Sequence, residues 1–312
     1  MTAAPDYTVD NLVASVFRRT SSPNSSQLMV EDDILAFLDE ELRSDILPLI
    51  VSVREEYFVN NFDIVMTGAQ SYTIPQGTAG GMLRDVVFVD PNGNEVNLQR
   101  FQPEHIKQNF TYGYPVPIYT FGYYLVDDQV VLYPPQTRVL TQYILRMKFI
   151  RRPNNLTLKI NCGQITDITS LAVTLANVDP TWTNADTFDV IQNFPQFNTV
   201  DSNQAVSTIV GNVLNFTAVP AAVAEGMWTC PHLMTCVPQI PYEAYPLLVQ
   251  RGVIRVLESI NDSQGTQTAV KQYEKMRSDF IGLVDNRVQG GTKKIKNANQ
   301  TYWHGFNSPF IR

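Results

Sequence analysis

Charged residues are scarce in this chain of 312 residues. Asp, Glu, Lys and Arg make up 17% of it and apolar residues 44%, whereas about a quarter of a typical soluble protein is charged. Asn, Gln, Ser and Thr take the place of the missing charges. This composition favours either a surface that ends up against other protein or a β-rich domain with polar faces. The length allows one large domain or two medium ones.

Cysteine and histidine are also rare, with three of each. Cys162, Cys230 and Cys236 are an odd and sparse set, which predicts no disulfide framework and is typical of a reducing compartment. Cys230, His232 and Cys236 are close enough in sequence to hold a metal, but structural zinc sites usually draw on two such clusters. We therefore expect no metal and no cofactor, and interpret Cys230 and Cys236 as buried thiols beside a loop.

Long apolar runs are missing as well. No stretch reaches the roughly 18 apolar residues that a membrane helix needs. Residues 1–10 contain no basic region followed by an apolar one, which would be the mark of a signal peptide. We expect a protein that is made and kept in the cytosol, without membrane contact.

The sequence shows no motif of nucleotide binding or catalysis: no Walker-type loop, no G-x-G-x-x-G, no G-x-S-x-G and no H-E-x-x-H. Gly77, Gly80 and Gly81 lack the Lys-Ser or Lys-Thr of a phosphate loop, which favours a turn between strands. Adjacent carboxylates such as Glu40 and Glu41 point in different directions on a helix and are expected to be mostly solvated. We predict that the chain is not an enzyme. A wall hydrolase with two acids far apart in sequence is the enzymatic alternative.

Charge is unevenly distributed. Residues 286–312 contain no acidic residue and five basic ones, which leaves the rest of the chain at −12 because the whole chain is −7. A basic tail on an acidic body is typical of an interaction arm. The acidic body argues against wrapping nucleic acid, which needs a basic face.

The tail is also rich in aromatic residues, unlike most disordered tails. Aromatic side chains supply much of the energy at protein interfaces, so residues 289–312 are predicted to form an extended docking arm. The alternative is that the tail folds back onto its own body. The candidate docking residues are Lys293, Lys294, Lys296, Tyr302, Trp303, Phe306, Phe310, Ile311 and Arg312.

Helical periodicity marks both ends of the chain. Residues 6–17 predict a short helix, and a longer apolar stripe starts near Glu31 and is kinked or split at Pro48. The period returns over residues 242–261, and a further helix, capped by Asp262 or Ser263, runs to about Asp285. These last two helices are predicted to pair as an antiparallel hairpin.

The middle of the chain alternates β-branched and aromatic runs with turn signals. Hairpins are predicted over residues 84–101 and 119–133, and strands over 143–149, 165–175, 208–210 and 213–217. Residues 187–193 are interpreted as a short helix.

The predicted fold class is α+β: a helical bundle formed by the N- and C-terminal helices, with a large β-rich insertion, barrel-like or sandwich-like, and an extended C-terminal arm. The predicted boundaries are 1–66 and 241–288 for the helical parts, 67–240 for the β-rich insertion and 289–312 for the arm. Charged residues on the long N-terminal helix are candidates for ion pairs between subunits: Asp39, Arg43, Arg54, Glu55 and Glu56.

Residues 32–58 (DDILAFLDEELRSDILPLIVSVREEYF) resemble the first long helix of the head-to-tail adaptor proteins of short-tailed bacteriophages. The shared features are the Leu-x-x-Leu-Asp-x-Glu-Leu core at 35–42, Pro48, and Glu-Glu-Tyr-Phe at 55–58. The resemblance follows the order of elements over most of the chain and is weakest at 161–224. Further similar segments are 72–75, 81–87 and 131–134, which match the β insertion of the family, and the late helix at 247–257.

The resemblance implies a structural virion protein of the neck or tail that is assembled in the host cytoplasm. Such adaptors form a homo-oligomeric ring, usually of twelve copies, that binds the portal protein through the C-terminal arm. Their β domain projects toward a downstream tail or nozzle protein and toward fibres. DNA would pass through the lumen without specific recognition, and an acidic wall suits this because it repels a polyanion. The alternative role is another tail or collar ring or a fibre-attachment protein.

Overall fold

The computed structural model describes residues 7–20, 29–102, 122–133, 143–193, 197–218 and 222–284. The chain has a mixed α+β fold with few helices and a β-rich part that includes a closed six-stranded barrel. The α+β class predicted from the sequence is therefore confirmed. None of the helices in these ranges is long and apolar enough to cross a membrane.

The helices lie toward the two ends of the described chain. They are α1 (Val9–Thr20), α2 (Glu31–Glu41), α3 (Leu47–Arg54), α4 (Tyr245–Ser259) and α5 (Ser263–Val284). The predicted N-terminal stripe is confirmed, because Val9, Leu12, Val13 and Val16 are all buried in α1. Of the two predicted caps, Asp262 precedes α5 and caps it, since its Oδ1 accepts a hydrogen bond from the backbone N–H of Gly265 at 2.9 Å.

The predicted break at Pro48 takes the form of a π-helical turn. Residues Leu42–Ile46 form this turn between α2 and α3, and Pro48 is the second residue of α3. A proline inside a helix removes one backbone donor and crowds the preceding turn, and the wider π turn accommodates this. Leu38, Leu42 and Ile46 stay fully buried through the interruption, so the apolar stripe is continuous.

One apolar core takes its residues from both ends of the chain. Leu12, Leu38 and Ile50 from the N-terminal helices share it with Leu248 and Phe280 from the C-terminal ones. α4 follows a single turn of 3₁₀ helix (Tyr242–Ala244). The side-chain amide of Gln250 in α4 donates to the backbone carbonyl of Ala269 in α5 at 3.1 Å, so α5 folds back along α4.

Two β-rich units lie between these helices in the chain. Four strands form a sheet in the order β1-β8-β3-β4, and four form a second sheet in the order β2-β7-β6-β5. Met66, Val86, Val130 and Leu145 belong to the core of this first unit. The strands are β1 (Val59–Val65), β2 (Ser71–Thr73), β3 (Thr78–Val89), β4 (Glu95–Asn97), β5 (Gln99–Arg100), β6 (Gly122–Val126), β7 (Gln129–Tyr133) and β8 (Ile144–Arg151).

Both predicted hairpins are present in this unit. Phe88 of β3 pairs with Val96 of β4, and Leu125 of β6 pairs with Val130 of β7. The turn expected for the glycine-rich stretch is confirmed for Gly77, which lies in the turn between β2 and β3, and is wrong for Gly80 and Gly81. Gly80 and Gly81 lie inside β3 with φ of 56° and 70°, where the pairing with β8 shifts register, so they form a bulge and not a turn between strands.

The second unit is the closed barrel, in the order β10-β11-β14-β13-β12-β15, all neighbours being antiparallel. Ile165, Val173, Phe188, Leu214 and Phe216 are buried in its core. Its strands are β10 (Gly163–Thr169), β11 (Ala172–Leu175), β12 (Thr187–Ile191), β13 (Thr199–Val210), β14 (Val213–Phe216) and β15 (Trp228–Pro231). A short parallel pair, β9 (Asn155–Leu156) with β16 (Met234–Thr235), lies outside the barrel.

The helix predicted over residues 187–193 is wrong. Thr187–Ile191 is β12, which pairs with β13 on one side and with β15 on the other. Phe188, Val190 and Ile191 are buried there. β-Branched and aromatic side chains fit a strand that has neighbours on both sides, and this packing outweighs the weak helical spacing of so short a segment.

Candidate functional site

The predicted docking arm lies outside the described residues. This applies to Lys293, Lys294, Lys296, Tyr302, Trp303, Phe306, Phe310, Ile311 and Arg312. The last described residue is Val284, at the end of α5. The docking role of the arm therefore stays a prediction.

Two of the candidate inter-subunit residues have partners within the chain. Arg43 lies 2.8 Å from the carboxylate of Asp39 and hydrogen-bonds to the side chain of Asn155. Asp39 Oδ1 also accepts from the backbone N–H of Leu156 at 3.1 Å. These contacts attach α2 to β9 within one chain.

The other three candidates lie at the end of α3. Glu55 is 3.4 Å from Arg84 of β3, which again is a contact inside the chain. Arg54 and Glu56 are exposed. Their predicted ion pairs between subunits stay a prediction.

Glu41 is a buried charge, so the expectation of a solvated side chain is wrong for it. It is 1% exposed and lies 2.7 Å from Arg251 Nε and 2.5 Å from Arg255 Nε, both in α4. Glu41 follows Leu38 by three residues, so helical spacing places it on the buried stripe. That spacing is the signal that could have identified it.

A second buried carboxylate, Asp189 on β12, gathers four donors. Its Oδ1 accepts from the backbone N–H of Asn203 at 2.8 Å and lies 2.7 Å from Nδ1 of His232. Its Oδ2 accepts from the side chain of Asn154 at 2.8 Å and from the backbone N–H of Leu233 at 2.9 Å. Because an ionised carboxylate only accepts, Nδ1 is the protonated nitrogen of His232 in this arrangement.

A cleft of about 390 Å³ opens beside Asp189 and His232. Arg151 lines it and donates to Thr199 and Asn198 at 3.2 and 3.3 Å. Burial lowers the pKa of Arg151 to about 10, because desolvation penalises its charged form. A carboxylate that orients an imidazole is half of a general-base arrangement. Within the described ranges, no hydroxyl or thiol hydrogen-bonds to His232 to complete it.

The three cysteines converge although they are far apart in sequence. Cys162 immediately precedes β10, Cys230 lies in β15, and Cys236 immediately follows β16. Their sulfur atoms all lie within 4.8 Å of one another, and those of Cys230 and Cys236 are 3.9 Å apart. All three residues are 0% exposed.

The wall of this cluster is apolar, and its thiols affect one another's acidity. Ile191, Phe197, Trp228 and Val237 pack around it. Burial raises the pKa of Cys162 and of Cys236. Burial acts in the same direction at Cys230, but hydrogen bonds from the other two thiols stabilise its thiolate and lower its pKa to about 5.

The candidate metal ligands considered from the sequence were Cys230, His232 and Cys236. The fold brings together a different group of three residues. His232 is directed to Asp189, and Cys162 is the third member of the cluster. Cys162 could not be found by motif spacing, because the barrel strands separate it from Cys230. The only signal in the sequence is that the chain has three cysteines in all.

No protein-family model matches the chain, and no curated protein matches its sequence.

Proposed function

We propose that the chain is a structural virion protein: a ring-forming head-to-tail adaptor that docks beneath the portal through its C-terminal arm, joins the tail and lines the DNA passage. The observation that carries the proposal is the shared core of the terminal helices. Leu12 and Leu38 pack in one cluster with Leu248 and Phe280. In the proposal this cluster is the core of a helical bundle into which the β-rich units are inserted.

The position of α5 supports a docking role for the arm. The last described residue, Val284, ends the last helix of the shared core, and residues 289–312 follow it in the sequence. An arm that starts there suits a portal bound on the helical side and a tail bound on the β side. The basic residues of the arm would meet an acidic partner surface, and its aromatic residues would fill apolar pockets.

The test is the mass of the full chain in solution, alone and after mixing with the portal protein of the same phage. The expected result is a smaller species that assembles into a stoichiometric ring on the portal. Deletion of residues 298–312 should abolish portal binding and leave thermal unfolding unchanged, because the described core lies entirely before residue 285. Retained binding by the truncated chain would refute arm docking.

A matched pair of arm variants separates specific docking from general effects of the tail. Replacing Trp303, Phe306 and Phe310 by Ala should weaken portal binding at least tenfold, because aromatic anchors dominate interface energies. Replacing Asn297, Asn299 and Gln300 by Ala keeps the length and charge of the arm. This control should change the affinity for the portal less than twofold. Equal losses in both variants would argue against aromatic anchors.

The barrel favours a second candidate, a tail or collar ring or a fibre-attachment protein. It is a closed unit with its own core, and its hairpin ends expose Leu171 and Val210, at 48% and 67%. Replacing both by Asp should abolish fibre binding if the barrel is a fibre socket. The same double variant should leave portal binding unchanged if the arm is the docking element.

A further inference from the structure

We propose that Cys162, Cys230 and Cys236 bind one thiophilic metal ion of d¹⁰ configuration, Zn²⁺ or Cu⁺. The ion would connect the first and last strands of the barrel in the sequence, β10 and β15, with the segment that follows β16. The proposal is independent of the adaptor function. It depends on where the three cysteines lie, how far apart their sulfur atoms are and what surrounds them.

The first observation is the convergence itself. The chain has only three cysteines, and all three meet in one buried cluster. The barrel strands β10 to β14 lie between Cys162 and Cys230 in the sequence. Single buried cysteines are common as small apolar residues, but random placement in a core does not explain why every thiol of a long chain lies in one place.

The second observation is the size of the sulfur triangle. A metal–sulfur bond of about 2.3 Å places the sulfur atoms about 3.8 Å apart in a tetrahedral site and about 4.0 Å apart in a trigonal one. Cys230 and Cys236 are 3.9 Å apart, and no pair in the cluster exceeds 4.8 Å. Shifts of about 1 Å or less therefore bring all three sulfur atoms to bonding distance of one ion.

A disulfide explains the cluster less well. It would use two sulfur atoms at about 2.05 Å, leave the third without a role, and require a contraction of the 3.9 Å separation between Cys230 and Cys236. A metal uses all three residues with little movement.

The surroundings select the kind of ion. Three thiolates are soft ligands, which favour Zn²⁺ and Cu⁺ over Mg²⁺ or Ca²⁺. The apolar side chains of Ile191, Phe197 and Val237 keep water away. Trp228 also packs there, and the ammonium group of Lys159 lies 5.3 Å from its ring centroid. With three thiolates the site would carry a net negative charge with either ion.

The coordination number separates the two ions. Among the residues that the structure describes, no fourth His, Cys, Asp or Glu joins the cluster. Zn²⁺ would need a water molecule or a backbone oxygen as a fourth ligand, whereas Cu⁺ is satisfied by three sulfur atoms.

The location gives the ion a structural role. Cys236 accepts a hydrogen bond at its backbone oxygen from the N–H of Val9, the first residue of α1, at 2.8 Å. Cys162 accepts one from the side chain of Asn177 at 3.0 Å. An ion bound here would join the strand that enters the barrel, the strand that leaves it and the segment that contacts α1.

The test starts with the full chain purified under reducing conditions. Its metal content is measured by mass spectrometry, followed by titration with Cd²⁺, which gives an ultraviolet charge-transfer band when thiolates bind it. The expected result is one ion per chain. Zn²⁺ and Cu⁺ are then added as competitors, and the one that displaces Cd²⁺ at the lower concentration identifies the preferred ion. Fewer than about 0.1 ions per chain after loading would overturn the proposal.

Variants locate the site. Cys162→Ala and Cys236→Ala should each lower the affinity for Cd²⁺ at least a hundredfold. His232→Gln should leave it within twofold, because His232 is directed to Asp189. Loss of binding in His232→Gln with retention in Cys162→Ala would refute the three-cysteine set.

A measurement on the unaltered chain keeps the proposal testable if a cysteine variant fails to fold. X-ray absorption of the Zn²⁺- or Cu⁺-loaded chain should show three sulfur neighbours at about 2.3 Å. In the same sample, all three thiols should react with a thiol reagent more slowly with metal than without it. A spectrum dominated by nitrogen and oxygen neighbours would indicate an adventitious surface ion and overturn the proposal.

Discussion

Nδ1 of His232 lies 2.7 Å from Oδ1 of Asp189, and this contact joins the turn after β15 to the middle of β12. Asp189 is 1% exposed, and the backbone of Asn203 in β13 donates to the same oxygen at 2.8 Å. The side chain of Asn154, which precedes β9, donates to the other oxygen. One carboxylate therefore connects the barrel with the chain that leads into it.

Removing this carboxylate should destabilise the protein strongly. Asp189→Ala removes an acceptor from the buried side chain of Asn154 and from the part-buried backbone N–H groups of Asn203 and Leu233, so we expect a loss of about 2–4 kcal/mol in the free energy of unfolding. Urea denaturation followed by circular dichroism measures it. Asp167→Asn, at an exposed position of β10, is the control and should change stability by less than about 0.5 kcal/mol. Equal effects of the two substitutions would contradict the role given to Asp189.

The parts of the fold that follow from periodicity were predicted from the sequence. The stripe Ile34, Leu38, Leu42 and Ile46 repeats every four residues and is fully buried, and the hairpin of β6 and β7 has its turn at Asp127 and Asp128, where the sequence placed it. In both cases, the signal lies within a few neighbouring residues, so no distant contact is needed to recognise it.

The parts that depend on distant contacts were not predicted. Residues 187–191 become a strand because β13 and β15 flank them. Glu41 is buried because two arginines of α4 neutralise it. Cys162 joins Cys230 only when the barrel closes. Each outcome is decided by residues far away in sequence, which local patterns do not contain.

Glu41 and Glu40 are adjacent in sequence but should respond differently to the same change. Glu41→Gln leaves Arg251 and Arg255 without their buried partner, so we expect a loss of about 2–4 kcal/mol. Glu40 is 59% exposed and pairs with Arg255 at 2.9 Å, so Glu40→Gln should cost less than about 0.5 kcal/mol. Urea denaturation of both variants under one condition tests this. A Glu41→Gln variant as stable as the unaltered chain would show that the pair contributes little.

Arg146 should make stability depend on pH in the acid range. Its Nε lies 2.7 Å from Asp63 and its Nη1 2.7 Å from Glu95. The hydrogen bond from Arg146 lowers the pKa of Asp63, and those from Lys148 and Arg146 lower that of Glu95. A depressed carboxyl pKa stabilises the folded state above the unfolded value of about 4, and this contribution is lost as the pH falls through the lower folded value.

The variant Arg146→Gln tests that dependence. At about pH 6 it should be slightly less stable than the unaltered chain, because ion pairs in an exposed network contribute little. The difference should shrink at about pH 3, where the carboxylates become protonated. Urea denaturation at both pH values measures it. Arg84→Gln is the control and should show a smaller effect, because its ion pair with Glu55 is longer, at 3.4 Å. A stability loss in Arg146→Gln that grows toward low pH would contradict the role given to the ion pairs of Arg146.

Two glycines in the C-terminal helices should respond in opposite directions to substitution by alanine. A Cβ at Gly252 of α4 would lie 2.8 Å from Leu38 Cδ2 and 3.0 Å from Val16 Cγ2, whereas one at Gly282 of α5 would meet nothing within 4 Å. Alanine lowers the entropic cost of a helix by up to about 1 kcal/mol, so Gly282→Ala should raise the thermal midpoint. At Gly252 the close contact of α4 with α1 and α2 would have to open, and overpacking of this kind costs about 1–3 kcal/mol. We expect Gly252→Ala to lower the thermal midpoint. A rise in both variants would mean that the helices can separate at no cost, which would contradict tight packing of the shared core at Gly252.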